Sequence, residues 1–189
     1  MLVVVAATMA SAASTADWSP REGGELVGRS APEIEGVEWL SGGPVSVAQA
    51  RADGSVLLMR FWLTECPYCA ASAPALNEMH QRYAERGLVV VGIHHPKSER
   101  ARNPDFVRAA AMDLGFDFAV GIDDEWKTVR AYGVGTAFRS FTSVSFLIDK
   151  TGVIRWVHDG GEFHRGGGQG HERCNAALES LERALGPLL

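Results

Sequence analysis

A continuous apolar run leads directly into a cysteine pair, and this junction restricts the fold more than any other feature of the chain. The run occupies residues 55–63, which is typical of a strand buried on both faces of a parallel sheet. The CPYC motif of Cys66 to Cys69 follows, and residues 70–86 then carry apolar side chains at helical spacing up to Gly87, a residue type that commonly ends helices. The pattern predicts a strand-to-helix turn that bears both cysteines.

Strands and helices alternate along the remainder of the chain. From the periodicity of apolar residues we predict strands at 88–94, 118–122, 143–148 and 153–158 and helices at 104–114, 126–132 and 175–185. The early elements imply right-handed parallel crossovers. The last two strands imply an antiparallel hairpin. The expected fold class is α/β, with a central mixed sheet flanked by helices.

The N-terminal region is expected to add small features to one domain. Residues 34–47 contain Ser41-Gly42-Gly43-Pro44 between short apolar stretches, which predicts a β-hairpin extension. Residues 17–25 are polar and Gly-rich, as in a linker. With 189 residues the chain suits one globular domain. We assign residues 1–25 to an export-signal remnant and linker, and residues 26–189 to the domain.

The export assignment depends on the first 16 residues. An apolar stretch there precedes small-residue tripeptides at 10–12 and 14–16, although the first basic residue is Arg21. The segment is also too short and too rich in small residues to span a bilayer. We therefore expect an extracytoplasmic, periplasmic protein with no membrane span in the mature chain.

Charge and cysteine count exclude several classes of function. The net charge is −5 and the basic residues are scattered, so we expect no nucleic-acid partner. Three cysteines are too few for a disulfide scaffold. A CxxC spacing indicates either a redox pair or half of a zinc site, and the sequence has no second CxxC and no HxxxH.

The CxxC motif suits thiol chemistry if it opens a helix. Cys66 near the N-cap has its thiolate stabilised by free N–H groups and the helix dipole. Cys69, one turn later, then resolves the mixed disulfide. Pro67 and Tyr68 between them shape the turn. The alternative is that the two cysteines are buried packing residues or form an inert structural disulfide.

The sequence around this motif resembles a known family. FWLTECPYCAASAPAL is similar to the active-site segment of thioredoxins and of the exported TlpA-like branch, and SFLIDKTGVIRWVHDGGEF is similar to the C-terminal thioredoxin-like domain of DipZ-type proteins. The resemblance covers residues 28–163. It implies a thioredoxin fold with a helical insertion, electron exchange with protein disulfides outside the cytoplasm, an upstream redox partner and no bound cofactor or metal.

Three positions depart from the family pattern. Ser143 stands where the family has a cis-proline facing the CxxC, and we expect a trans bond there because a non-proline cis bond costs about 2.5–4 kcal/mol. Arg60 stands where thioredoxin has a buried acid, and Glu65 replaces the usual Trp. If Arg60 points at the sulfurs it favours the thiolate, whereas Glu65 opposes it. If Arg60 is solvated, it has no catalytic role.

Other residues leave alternatives open. His94 and His95 are either proton shuttles or a pair that ends a strand. His164, His171 and Cys174 lie in or next to a Gly-rich stretch, and three interpretations of them are open. Either the three residues form a small metal site, or Cys174 is an additional thiol that exchanges with the CxxC pair, or Cys174 is a small buried residue of the last helix. Trp62 and Tyr68 form a rim for a partner chain, or Trp62 belongs to the core.

These observations favour a thiol-disulfide oxidoreductase that acts on protein thiols. One alternative is a peroxiredoxin-like thiol peroxidase, although its usual Pro and Thr ahead of the nucleophile are missing here. Another is a non-enzymatic module that binds a soft metal through Cys66 and Cys69 with a histidine.

Overall fold

The computed structural model describes residues 18–189, and the predicted export segment lies outside these residues. A single mixed sheet runs through the described part. Its strands are β1 (Glu38–Ser41), β2 (Val56–Trp62), β3 (Leu88–His94), β4 (Ala119–Ile122), β5 (Ser145–Ile148) and β6 (Ile154–His158). The helices are α1 (Val47–Ala52), α2 (Pro67–Tyr83), α3 (Pro104–Asp113), α4 (Lys127–Ala131) and α5 (Glu172–Leu185), with short 3-10 turns between them.

The strand order is β1-β4-β3-β2-β5-β6. Strands β2, β3 and β4 are parallel, while β1, β5 and β6 each run antiparallel to a neighbour. The predicted mixed sheet and helical insertion are both confirmed, the insertion being α3 between β3 and β4. Strand β2 lies in the middle of the sheet, and it leads directly to the cysteines.

Two apolar clusters cover the two faces of the sheet. Alternate residues of β2 supply both clusters, with Leu58 on the side of α2, α3 and α5 and Leu57 on the side of α1 and α4. All seven residues of β2 are buried, which explains the nearly continuous apolar run in the sequence. No helix within residues 18–189 has the length and apolarity needed to cross a membrane.

The predicted N-terminal β-hairpin does not form. Strand β1 pairs with β4 instead of with a neighbouring strand, and the chain after Pro44 enters helix α1. Two side chains favour this helix, since the Glu33 carboxylate accepts hydrogen bonds from the N–H groups of Val47 and Ala48 at its start. The Ser46 hydroxyl caps the same turn. The Gly-Pro turn ends strand β1 as predicted, but the next element is helix α1 instead of a second strand.

The segment before Leu26 packs on the domain, so the linker interpretation is wrong for its described residues. The Trp18 ring stacks on His158 with centroids 5.7 Å apart. The Arg21 N–H donates to Asp159 Oδ2 at 2.6 Å, and Glu22 accepts from the backbone of Arg139. The Gly-rich composition concealed these contacts because their partners are more than 100 residues away.

Candidate active site

Cys66 is the N-cap of α2, and Pro67 begins the helix. The Cys66 backbone is extended, with φ −106° and ψ 109°, so its side chain faces the free N–H groups of the first turn. The N–H of Cys69 donates to Cys66 Sγ at 3.2 Å. Both residues are free thiols, Cys66 half-buried and Cys69 only 2% exposed. One sulfur is therefore open to a partner while the other is enclosed behind it.

The two thiols have opposite acidities. The pKa of Cys66 falls to about 6, chiefly because the Cys69 side chain hydrogen-bonds its sulfur, with help from the Cys69 N–H, the Arg60 charge and the Ser143 hydroxyl. Burial opposes this shift. The same hydrogen bond, together with burial, raises the pKa of Cys69. At neutral pH Cys66 is mostly thiolate and Cys69 is a thiol.

Arg60 is buried beneath the cysteines rather than solvated, with 1% of its surface exposed. Its Nη1 donates to Ser145 Oγ at 3.2 Å and its Nη2 donates to the Gly161 carbonyl at 2.9 Å. The guanidinium also lies 5.4 Å from the centre of the Phe163 ring. Each of these partners is uncharged, and the Arg60 charge lowers the pKa of both Cys66 and Cys69. The Cys66 thiolate therefore supplies negative charge to a site that would otherwise hold an isolated cation.

A histidine that sequence reasoning missed completes the Arg60 environment. His158 Nδ1 lies 3.5 Å from Arg60 Nη1. Burial and the Arg60 charge hold the pKa of His158 well below its usual range, so its neutral ring can accept a hydrogen bond from the guanidinium. The Trp18 ring stacks on the His158 ring. The only sequence signal was its place at the end of a predicted strand.

Ser143 adjoins the cysteines, at the position where the resemblance places a cis-proline. It is 3% exposed, and its hydroxyl hydrogen-bonds Cys66. The next residue, Val144, accepts a hydrogen bond from the Phe61 N–H at 2.9 Å, which ties this loop to β2. Within residues 18–189 the one cis peptide bond precedes Pro44, so the bond before Ser143 is trans. The Ser143 hydroxyl, which can donate a hydrogen bond, thus stands where the family has a proline ring, which cannot.

A groove of about 360 Å³ opens beside Cys66. Glu65 and Pro67 line one wall, and Lys97 and the loop of residues 140–143 line another. Two exposed aromatic side chains stand at this groove, Tyr68 with 43% and Phe141 with 39% of their surface open. Their rings meet edge to face at 5.9 Å. Exposed aromatic pairs beside a reactive group are typical of surfaces that bind partner chains.

Glu22, a residue of the segment predicted to be a linker, holds one wall of this groove. Its carboxylate accepts from the N–H groups of Arg139 and Ser140 and from the Ser140 hydroxyl. These backbone hydrogen bonds lower the pKa of Glu22. The N-terminal segment therefore fixes the loop that carries Phe141 and Ser143.

The histidines at the end of β3 serve packing. His94 and His95 are fully buried, and burial lowers the pKa of His94 to about 4 and that of His95 to about 3. His94 Nε2 accepts from the Thr64 N–H at 3.4 Å. Within residues 18–189 neither imidazole hydrogen-bonds a cysteine, so the strand-end alternative describes them better than a proton shuttle.

Trp62 is also fully buried and belongs to the core. Of the two aromatic residues predicted to form a rim, only the exposed Tyr68 lies at the groove.

Cys174 lies outside this arrangement. It is buried near the start of α5, and its Sγ donates to the His171 carbonyl at 3.1 Å. Burial, the nearby Glu162 and other charges raise the pKa of its thiol. The structure groups Cys174 with His171 and His164 instead of with the CxxC pair.

Comparison with known proteins places this geometry in a family. The model of the AhpC/TSA family matches residues 27–157, which is well over half of the chain. The chain belongs to the AhpC/TSA family.

Two of the three relatives compared below are named thiol-disulfide oxidoreductases. The chain is 29% identical over 134 residues to Protein DipZ of Mycobacterium bovis, and the match covers 69% of this chain and 18% of DipZ. It is 29% identical over 128 residues to thiol-disulfide oxidoreductase ResA of Bacillus anthracis, covering 68% of this chain and 66% of ResA. Thiol-disulfide oxidoreductase YkuV of Bacillus subtilis is 26% identical over 132 residues, covering 69% of this chain and 83% of YkuV. The chain therefore spans only part of each relative.

Solved structures agree on the fold. A Chlorobium tepidum protein provisionally assigned as thiol:disulfide interchange protein DsbE superposes with a TM-score of 0.63 at 26% identity, over 88% of this chain and 96% of its own. A thiol-disulfide isomerase from Corynebacterium glutamicum superposes with a TM-score of 0.62 at 23% identity, over 84% and 96% of the two chains. The thioredoxin-like fold and the resemblance to DipZ-type proteins are both confirmed.

Proposed function

We propose that this chain is a thiol-disulfide oxidoreductase that exchanges disulfides with protein thiols through Cys66 and Cys69. The observation that carries the proposal is the opposed acidity of the two sulfurs, an accessible thiolate at Cys66 and an enclosed thiol at Cys69. Disulfide exchange needs such a pair, since one sulfur attacks and the other resolves. The names of the relatives ResA and YkuV give independent support.

The reaction in the reductive direction has two steps. The Cys66 thiolate attacks one sulfur of a substrate disulfide, forms a mixed disulfide and releases the other substrate sulfur as a thiolate that takes up a proton. Cys69 then loses its proton and attacks Cys66 Sγ, which closes the Cys66–Cys69 disulfide and releases the second substrate thiol. Two electrons pass to the substrate, and the oxidative direction is the reverse.

Arg60 has a role in the second step. The hydrogen bond that Cys69 makes with the Cys66 sulfur is the largest cause that raises the pKa of Cys69, and such a bond is strongest when its acceptor is charged. In the mixed disulfide that charge is gone, whereas the Arg60 guanidinium remains and lowers the pKa of Cys69. Arg60 is therefore a positioning residue that favours the anionic form of whichever cysteine reacts.

The partner is a protein segment that lies in the groove. Tyr68 and Phe141 offer apolar contacts at its edge, and Ser143 with its loop lies against the reacting sulfur. A second protein restores the redox state of the pair after each cycle. We place the reaction outside the cytoplasm, in the periplasm, on the basis of the signal-like first 16 residues and because disulfides persist in oxidising compartments. Fractionation of the native host and the N-terminal sequence of the mature protein test this location.

Trapping of the mixed disulfide tests the function. A Cys69→Ser variant mixed with a disulfide-bonded protein substrate is expected to accumulate one adduct on Cys66, which peptide mass spectrometry locates. Cys174→Ser added to this background is the matched control and leaves the yield unchanged. Consumption of hydrogen peroxide by Cys66 at rates well above its exchange with disulfides would replace this proposal with the peroxidase alternative.

A further inference from the structure

A second group of chemically reactive side chains lies away from the CxxC pair. His164 belongs to the loop between β6 and α5, His171 is the N-cap residue of α5, and Cys174 lies in its first turn. One ligand atom of each residue lies within 4.8 Å of the other two. His171 and Cys174 are three residues apart, so they share one face of the helix start.

The distances suit a tetrahedral metal ion. Cys174 Sγ and His171 Nδ1 are 3.6 Å apart, and the imidazole rings of His164 and His171 have centroids 5.2 Å apart. In a tetrahedral zinc site, bond lengths of about 2.3 Å to sulfur and about 2.1 Å to nitrogen separate these two ligand atoms by about 3.6 Å. The pair therefore already stands at the separation that zinc requires.

Contacts around the cluster hold its parts together without a metal. Asn175 clamps Gly166 through two hydrogen bonds of 2.8 and 2.9 Å, which ties the loop to α5 two residues after His164. Phe163, next to His164, is fully buried. The Glu162 carboxylate lies 3.6 Å from His164 Nε2, and such a carboxylate contact commonly orients a metal-binding imidazole.

Gly166 has a specific steric role in this arrangement. A Cβ atom at this position would lie 2.6 Å from His171 Cγ and Nδ1 and 3.0 Å from His164 Cε1. Only a residue without a side chain lets both rings approach each other here. At the adjacent Gly167, a Cβ atom meets nothing within 4 Å.

We propose that His164, His171 and Cys174 form a zinc(II) site that joins the β6–α5 loop to α5. Two imidazoles and one thiolate are donors that zinc prefers, and three protein ligands leave a fourth position for water. The site is separate from the exchange reaction, since Cys66 and Cys69 contribute no ligand. Its role is to add a metal cross-link between the loop and α5, which the Asn175–Gly166 hydrogen bonds already hold together.

The test uses a Cys66→Ser/Cys69→Ser background, in which Cys174 is the one remaining cysteine. Cobalt(II) added to the chelator-treated protein is expected to bind with one equivalent and to show the thiolate-to-cobalt absorption band and tetrahedral d–d bands. Zinc(II) then displaces it. We expect zinc to bind with a Kd of about 1 µM or tighter and to raise the thermal midpoint.

Substitution of each proposed ligand tests whether that residue binds zinc. Cys174→Ser, His171→Asn or His164→Asn is expected to weaken zinc binding by more than about 100-fold, since even outer-shell changes commonly cost 10- to 100-fold. His164 is partly exposed, so its variant tests the site without altering the buried Cys174. His80→Asn, in a histidine paired with Asp117 outside the cluster, is the control and leaves binding unchanged.

Substitutions at Gly166 and Gly167 test the site while all three proposed ligands remain in place. Gly166→Ala is expected to weaken zinc binding by at least about tenfold, while Gly167→Ala leaves it unchanged. Absence of stoichiometric binding, a cobalt complex without the thiolate band, or equal affinities in the wild type and His164→Asn would each overturn the proposal.

Discussion

Cys66 and Cys174 stand at the N-termini of two different helices, and only Cys66 is an acidic thiol. Cys66 is the N-cap of α2, while Cys174 lies in the first turn of α5. The pKa of Cys66 falls to about 6 because Cys69 and other donors hydrogen-bond its sulfur. Burial raises the pKa of Cys174, and the nearby Glu162 adds to the effect. A helix N-terminus therefore does not by itself activate a thiol, and the donors and charges around the sulfur decide its acidity.

The largest expected difference is in exchange activity. Cys66→Ser removes the attacking sulfur, and we expect the rate of protein disulfide reduction to fall about a thousandfold or more, as for other lost nucleophiles. Cys174→Ser is expected to leave the rate unchanged. A standard insulin reduction assay checks both variants. Equal losses in the two variants would mean that Cys174 takes part in exchange.

A second prediction concerns thiol reactivity and its pH dependence. Alkylation of Cys66 by iodoacetamide is expected to rise with pH through a midpoint of about 6, because the thiolate forms above its pKa. At pH 7 we expect Cys66 to react at least about tenfold faster than buried Cys174. Quantitative mass spectrometry of each peptide gives the rates. A Cys66 midpoint near that of an ordinary thiol would contradict the assigned hydrogen bonds.

A third prediction isolates the buried charge. Arg60→Met keeps much of the side-chain volume but removes the cation, so we expect the pKa of Cys66 to rise. The thiolate stabilises the reduced pair, and a tenfold change in that stabilisation corresponds to about 30 mV. We expect the reduction potential to become more negative by up to this amount. Arg108→Met, at an exposed arginine on α3 paired with Asp105, is the control and changes neither quantity.

The smallest expected effect is at Ser143. Ser143→Ala removes one hydroxyl donor to Cys66, the last of the causes that lower its pKa. We expect an upward shift in the Cys66 pKa that is smaller than in Arg60→Met, measured by the ultraviolet absorbance of the thiolate during a pH titration. Thr142→Ser, a neighbour in the same loop, provides the control. A shift larger than in Arg60→Met would reverse the assigned order of the two effects.

Local patterns predicted the central part of the fold because the information lies close together in the sequence. The apolar run of β2, the CxxC motif and the helical spacing of α2 are contiguous, and the structure reproduces each of them. Strand β1 was misread because its partner β4 is far along the chain. The turn before α1 was visible, but the Glu33 contacts that favour a helix were not.

The site was only partly predictable for the same reason. The cysteines, Arg60 and Ser143 were identified from their places in the motif and in the family resemblance. His158 and Glu22 were missed, since their roles come from contacts with Arg60 and with the backbone of the Ser143 loop. Such contacts depend on tertiary packing, which residue identities alone do not reveal.

The reduction potential of the Cys66–Cys69 pair tests the central claim most directly. We would equilibrate the Cys174→Ser variant with glutathione redox buffers and count free thiols at each ratio. A reversible two-electron couple with a potential less negative than the roughly −270 mV of thioredoxin is expected, because the stabilised thiolate favours the reduced form. The absence of a reversible couple, or a potential at or below that value, would contradict the account.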